Sequence, residues 1–404
     1  MLDGIRILDL SEEPGFLAGK ILGDLGADVV KLEPPGGDRF GRRGPYLGEI
    51  ADPERSLRWL ALNTSKRGVT LALGTPRGRE LFGQLAARAD VVLETAAPGA
   101  MEALGVGWEA LRAERPRLIW CSLTPFGRTG PYAGFRAHDL VLVAMGGNAA
   151  LTGDPDRAPV RCTLPTAYYA AGPDAAAGIA MALYARERSG RGQLVDVSMQ
   201  ECQLATLVTA PGSYSLNPQL RGRTGARLGG TREIWRAKDG DVTFGLRGGA
   251  ARIPSLIATV EWMTEEGMAP AWMREMDWKS YNHNLLSAEE IARLEAAFSA
   301  FFATRTRREL FEQALVRRIM LAPCNDAREI LEQPQLRSRE LFTMLEYPEL
   351  GARIEHPDFF AKASRDRIGI RRRAPRVGEH NAEVFGELGI GADALRELAS
   401  QGAI

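Results

Sequence analysis

The sequence predicts an α/β fold built on a parallel, doubly wound sheet, and three observations carry that expectation. Ile5-Arg6-Ile7-Leu8-Asp9-Leu10 reads as a strand, a helical pattern runs from about Pro14 to Leu25, and Asp28–Leu32 reads as a second strand. A strand, a helix and a strand within about thirty residues form a βαβ unit, whose strands run parallel. The alternation then repeats at Arg67–Leu73, Gly78–Ala89, Asp90–Glu94 and Leu118–Leu123. Finally, "PTAYYAAGPDAAAGIAMALYARERSGRGQLVDVSM", residues 165–199, reads as loop, small-residue helix, glycine turn and strand.

Each element has a local reason. Leu17, Ile21 and Leu25 fall at four-residue spacing on one helix face, and Gly26 suits the C-cap. The second strand runs into the Pro34-Pro35-Gly36-Gly37 turn. A sheet of this kind commonly holds a nucleotide-type ligand at its strand ends, but GxGxxG is absent and the dinucleotide reading loses its fingerprint. After Ser215, "NPQLRGRTGARLGGTRE" carries Arg221, Arg223, Arg227 and Arg232 and reads equally as a ligand-facing loop or a solvated linker. "KDGD" at 238–241 is a hairpin turn between Ile234-Trp235-Arg236 and Val242-Thr243-Phe244. Ser287 with Glu290, and Thr306 with Glu309, are capping boxes; Ile291, Leu294, Phe298 and Phe301 form the apolar face after the first. The expected layout is a large domain over 1–220, a small α+β domain over 225–330, and a return over 331–404 to the large domain. Pro334, Pro348, Pro357 and Pro375 mark that return as a connection, ending in a helix near Asn381–Leu388.

With 404 residues, two lobes are expected. The 51 Lys+Arg residues balance the 51 Asp+Glu, so no net field favours nucleic acid or an anionic membrane, and small molecules or other subunits are the expected partners. Cys121, Cys162, Cys202 and Cys324 show no metal-ligand spacing; the apolar surroundings LIWCSL and LAPCN suit buried, reduced thiols. The opening MLDGIRILDLSEEPG has acidic residues and no long apolar run, so neither a signal peptide nor a membrane span is expected, and the cytoplasm is the expected compartment.

Several segments in order resemble one family. "GIRILDLSEEPGFLAGKILGDLGADVVKLEPPGGD", "LNTSKRGVTLAL", "PGAMEALGVGWEALRAERPRLIWCSLTPFGRTGPY", "ALYARERSGRGQLVDVSMQE" and "RAPRVGEHNAEVFGELG" resemble the class III CoA-transferases, the carnitine dehydratase and bile-acid-inducible group. That group includes formyl-CoA transferases and α-methylacyl-CoA racemases. The resemblance covers most of the chain and leaves only 250–285 unfamiliar. It implies a Rossmann-like large domain made from both chain ends, a small central domain, and two chains threaded through each other as an interlocked dimer. It also implies a CoA thioester as substrate, a carboxylic acid as co-substrate, and no metal.

The reaction that the resemblance implies needs an aspartate. Its carboxylate attacks the acyl-CoA thioester to give a mixed anhydride, which CoA thiolate then converts to an enzyme-bound thioester. In the family this aspartate lies four residues before a glycine that here is Gly172, so Tyr168 occupies the position. A phenol with a reference pKa near 10 is protonated at pH 7 and would give an aryl ester instead of an anhydride. Thr95 and Ala96 stand where the family often has Asn-Phe lining the CoA site, and Ala103 replaces a frequent basic residue. The resemblance places Leu71 and Arg136 against CoA. His138 and Asp139 in "AHDL" resemble the "GHD" of the racemases, and that resemblance makes them catalytic candidates.

Four readings follow. The leading one is the subunit of a heteromeric CoA-transferase that lacks the nucleophile, with a related partner chain supplying it and succinyl-CoA and a dicarboxylic acid as substrates. The alternatives are a homodimeric transferase or isomerase using Asp174, Asp139 or Glu201; a non-catalytic acyl-CoA-binding protein; and a racemase-like enzyme using His138.

Overall fold

Six strands form the central sheet: β1 (Arg6–Asp9), β2 (Asp28–Glu33), β3 (Lys66–Thr70), β4 (Val91–Glu94), β5 (Ile119–Thr124) and β6 (Leu194–Ser198). In the computed structural model, which describes residues 1–404 except Val208 and Arg221, these strands lie in the order β3-β2-β1-β4-β5-β6, all parallel. The chain reverses its direction of travel across the sheet between β1 and β4. That break is the switch point at which doubly wound sheets open a crevice.

The strands are apolar runs because both faces are covered. Alternate residues feed opposite cores, as a two-residue period requires. Ile7, Val29, Val91, Ile119 and Cys121 pack with Ala167, Ala171 and Ala175 of the Thr166–Ser189 helix. Leu8, Val30, Val92 and Trp120 pack on the other face with Leu81, Phe82 and Leu85 of the Pro76–Ala86 helix and with Val384 and Phe385. Helix α1 (Glu13–Asp24) starts directly after β1 and lies against the Thr166–Ser189 helix. The small residues of that helix set the approach: a Cβ on Gly172 would stand 2.9 Å from Leu17 Cβ.

The chain divides into two compact units. The larger comprises Met1–Ala149, Arg161–Leu220 and Pro334–Ile404, the smaller Ala150–Val160 and Arg221–Gln333. In the smaller unit the strands Ile234–Ala237, Gly240–Phe244 and Leu321–Pro323 form an antiparallel sheet. Trp235 packs edge to face with Phe244, Phe298 and Phe302 in the core of this unit. Both capping boxes form, Ser287 with Glu290 and Thr306 with Glu309. The arginine-rich stretch is tied down internally: Arg223 donates to the Asp154 and Arg157 carbonyls, and Arg227 grips Glu295 at 2.8 Å. Arg221 lies outside the described residues.

Three expectations need correction. The proline-rich return is not a plain connection: Phe342–Tyr347 and Ala352–Pro357 pair as an antiparallel hairpin whose Tyr347 is fully buried. A helix over Ala392–Ser400 follows the expected one, which spans Asn381–Gly386, and sends Leu398 into the core. Cys324 is exposed because it follows a three-residue edge strand in a loop; Cys162 is exposed too, and Cys121 and Cys202 alone are buried. Among the described residues no helix is long and apolar enough to cross a membrane.

Candidate active site

The loops leaving β1 and β4 meet at the switch point. Glu12, the residue capping α1, donates its backbone N–H to Thr95 Oγ1 at 2.8 Å, joining the two loops. Below them lies a buried ionic floor. Lys66 Nζ donates to Asp9 Oδ2 at 2.8 Å, to the Phe16 carbonyl and to Asn63 Oδ1; Lys31 Nζ stands 3.7 Å from Asp9. Burial pushes the Lys66 ammonium down to about 8 against the pull of Asp9. Burial alone would raise the Asp9 carboxyl, but Lys66 and Lys31 outweigh it and hold the pKa below the ordinary value. Only a glycine lets α1 cross this pair, since a Cβ on Gly19 would lie 2.3 Å from the Asp9 carboxylate.

Two cavities open above the floor, both within the larger unit. One, of about 470 Å³, is lined mainly by apolar side chains, among them Leu10, Leu32, Pro35, Leu71, Ala96 and Met101. Its buried Glu94 is pushed up by desolvation although Ser122 and the Ala96 N–H both donate to it. The other, of about 250 Å³, is lined by Glu12, Phe40, Arg43, Thr95, His138 and Tyr168, with Glu13 in its wall.

Tyr168 stands in the first turn of the Thr166–Ser189 helix, beside the start of the Asp139–Met145 helix. The two helix starts cap one another. The Asp139 N–H donates to the Tyr168 hydroxyl at 3.2 Å, and Asp139 Oδ1 accepts the Ala167 N–H at 2.9 Å. Burial pushes the Tyr168 phenol further above its ordinary value, against the opposing Asp139 N–H. At neutral pH it is therefore a neutral donor and acceptor, without the charge a nucleophile needs. Tyr169 is raised for the same first reason, burial.

The other sequence candidates divide. His138 lines the smaller cavity beside Tyr168, and Leu71 lines the larger. Asp139 lies buried under the cavity with its carboxylate engaged. Arg136, Asp174 and Glu201 are exposed and line neither cavity. Sequence reasoning missed Glu12, Glu13, Phe40 and Arg43. Glu13 is buried and accepts from Arg43 at 2.8 Å and from Arg58. The available signal was positional: "SEEPG" directly follows the first strand of a βαβ unit, where the sheet presents its ligand site.

This architecture has known counterparts. Residues 2–381 match the family model of CoA-transferase family III. The chain is 33% identical to the succinyl-CoA:(R)-benzylsuccinate CoA-transferase subunit BbsE of Thauera aromatica, over 99% of this chain and 97% of that one. It is 33% identical to a formyl-CoA:oxalate CoA-transferase of Streptomyces avermitilis, over 100% of this chain and 99% of the relative. Among solved structures, a CaiB/BaiF family protein from Brucella suis superposes with a TM-score of 0.84 at 27% identity, covering 96% of this chain and 98% of that one. A match across nearly the whole chain, on a parallel sheet with paired cavities at its switch point, makes this protein a member of the class III CoA-transferase family.

Proposed function

We propose that the chain is one subunit of a heteromeric CoA-transferase that moves CoA from succinyl-CoA onto a carboxylic or dicarboxylic acid, and that a related partner subunit supplies the nucleophilic aspartate. The observation that carries this reading is Tyr168: a protonated phenol, hydrogen-bonded to the Asp139 N–H, in the seat where the family's chemistry needs a carboxylate. The neighbouring Asp139 is committed to the Ala167 N–H, and Glu13 to Arg43 and Arg58. The relative from Thauera, itself named as a subunit and as acting on succinyl-CoA and benzylsuccinate, supports both the heteromer and the substrate pair.

On this reading the Leu71 cavity takes the nucleotide end of CoA and Arg136 meets its phosphates. The two chains interlock in the cytoplasm, which keeps a chain indispensable after it has lost its own nucleophile. The partner's aspartate forms the anhydride and then the enzyme-bound thioester, and the incoming acid reverses the sequence. The test is reconstitution: this chain alone transfers no CoA, and co-expression with the related chain restores transfer.

A second reading is favoured by Glu12, a carboxylate that lines the Tyr168 cavity and whose pKa is raised, first by burial and then by Asp38. There Glu12 attacks the thioester itself. A CoA adduct on the peptide bearing Glu12, in the chain free of any partner, would decide for it.

A further inference from the structure

Ser11 stands between the two cavities. Leu10 lines the larger and Glu12 the smaller, so the backbone at Ser11 is the wall that separates them. Every polar group of this buried residue is engaged. Its N–H and its hydroxyl both donate to Asp9 Oδ1, at 2.9 and 2.5 Å, and its carbonyl accepts from Lys31 Nζ. The first turn of α1 leaves it no slack, since a Cβ on Gly15 would lie 2.4 Å from Ser11 Cβ. The Glu12 N–H to Thr95 Oγ1 then fixes the far side of the wall to the loop after β4.

This clamp carries unmatched charge. Lys31 and Lys66 are both buried, and among the described residues Asp9 is the one carboxylate at ion-pair distance of either. It meets Lys66 at 2.8 Å and Lys31 only at 3.7 Å, so one buried positive charge is left over. Carbonyls and a ring face take it up. Lys31 Nζ donates to the Asp9 and Ser11 carbonyls and stands 5.2 Å from the centroid of Phe16. A methionine would fill the same space without the desolvation cost, and apolar groups of similar volume that replace buried charges are often neutral or stabilising. Stability therefore does not account for Lys31. What it alone supplies is a donor to the Ser11 carbonyl.

We propose that Lys31 is a positioning residue for CoA transfer. Through the Ser11 carbonyl, with Asp9 holding the Ser11 N–H and hydroxyl, it sets the wall and thereby the alignment of the two cavities for one CoA thioester that spans both. The inference rests on the reading in which the Leu71 cavity takes the nucleotide end of CoA. It follows that Lys31 acts on the whole substrate and leaves the nucleotide fragment, which needs one cavity, untouched.

The test is Lys31→Met in the complex of this chain with its partner, with succinyl-CoA as substrate and adenosine bisphosphate, the nucleotide fragment of CoA, as inhibitor. The variant should melt at or above the parent's temperature. Its KM for succinyl-CoA should rise about tenfold, while kcat and the inhibition constant of adenosine bisphosphate stay within about twofold, the pattern of a lost uniform-binding interaction. Hydrogen exchange gives a readout that needs no activity. The peptide carrying the Ser11 and Glu12 amides should exchange about tenfold faster, with the rest of β1 and β2 unchanged. Ser11→Ala deletes only the hydroxyl bond to Asp9 and should move both readouts the same way by a smaller factor; it decides the matter if Lys31→Met does not fold. Exchange at the parent's rate, faster exchange spread over the whole sheet, or a KM within twofold of the parent's overturns the inference and leaves Lys31 a packing residue. A parent complex that transfers no CoA refutes the functional reading alone, and hydrogen exchange still decides the clamp.

Discussion

Replacing Tyr168 with phenylalanine separates the structural work of the phenol from any chemical work. The substitution keeps the ring and removes the oxygen that accepts the Asp139 N–H at 3.2 Å. Asp139 is buried, so its N–H loses a partner that water replaces poorly, and an orphaned donor of this kind costs about 1–3 kcal/mol. Tyr168 itself is only half-buried, which lets some solvent reach the vacancy and places the expected loss near the low end, about 1 kcal/mol. Asp139→Ala removes the acceptor of the Ala167 N–H at the start of a 24-residue helix and should cost about 1–2 kcal/mol, the usual value of a lost N-cap. Since the Asp139 N–H bond to Tyr168 and the Ala167 N–H bond to Asp139 tie the same two helix starts together, the double variant should lose less than the sum by about 0.5 kcal/mol or more. Urea denaturation of the complex reads all three. Transfer activity of the Tyr168→Phe complex should stay within about twofold of the parent, because losing a group absent from the transition state leaves kcat/KM unchanged. A hundredfold loss of transfer from a folded complex would refute the reasoning and put the phenol in the chemistry.

Other consequences are equally direct. Lys66→Met leaves the fully buried Asp9 carboxylate with Lys31 at 3.7 Å as its remaining countercharge beside the Ser11 donors; it should cost about 3–5 kcal/mol, and Asp9→Asn in the same chain should recover much of that loss in urea melts. Gly19→Ala should destabilise despite alanine's higher helix propensity, because its Cβ would fall 2.3 Å from the Asp9 carboxylate; a thermal melt at or above the parent's would contradict the packing. His356 is buried against Tyr347, and burial, then Lys20, pushes its pKa from 6.5 down to about 4. The unfolded chain therefore binds a proton that the folded chain refuses between those values. This contribution to stability is full above pH 6.5 and falls away as the pH drops towards 4. Roughly 2.5 pH units amount to about 3 kcal/mol, which His356→Gln should flatten in stability-versus-pH curves.

Much of the fold could be read locally. The strands around Ile7, Val29, Val91 and Ile119 announce themselves as apolar runs, and the capping boxes at Ser287 and Thr306 rest on residues three apart. The hairpin over Phe342–Pro357 was hidden because its prolines sit at Pro348 and Pro357, in the turn and at a strand end, where they do not break pairing. That Tyr168 takes the place of a carboxylate rests on the family resemblance; spacing within this chain says only that a phenol opens the Thr166–Ser189 helix. Glu13 and Arg43 were not legible, because thirty residues of chain separate partners 2.8 Å apart. Their meeting depends on how the loop after β2 folds back over the start of α1, and no periodicity encodes that. The role of Asp139 was also out of reach: a carboxylate that caps a second helix across 28 residues looks in sequence like a candidate acid or base.

The central claim is that this subunit has given its chemistry to a partner. Native mass spectrometry of the complex isolated from its own host, with every chain identified, tests it most directly. The account predicts a stoichiometric companion of similar size that carries aspartate at the position of Tyr168. A homodimer of this chain alone, active in CoA transfer, would contradict it.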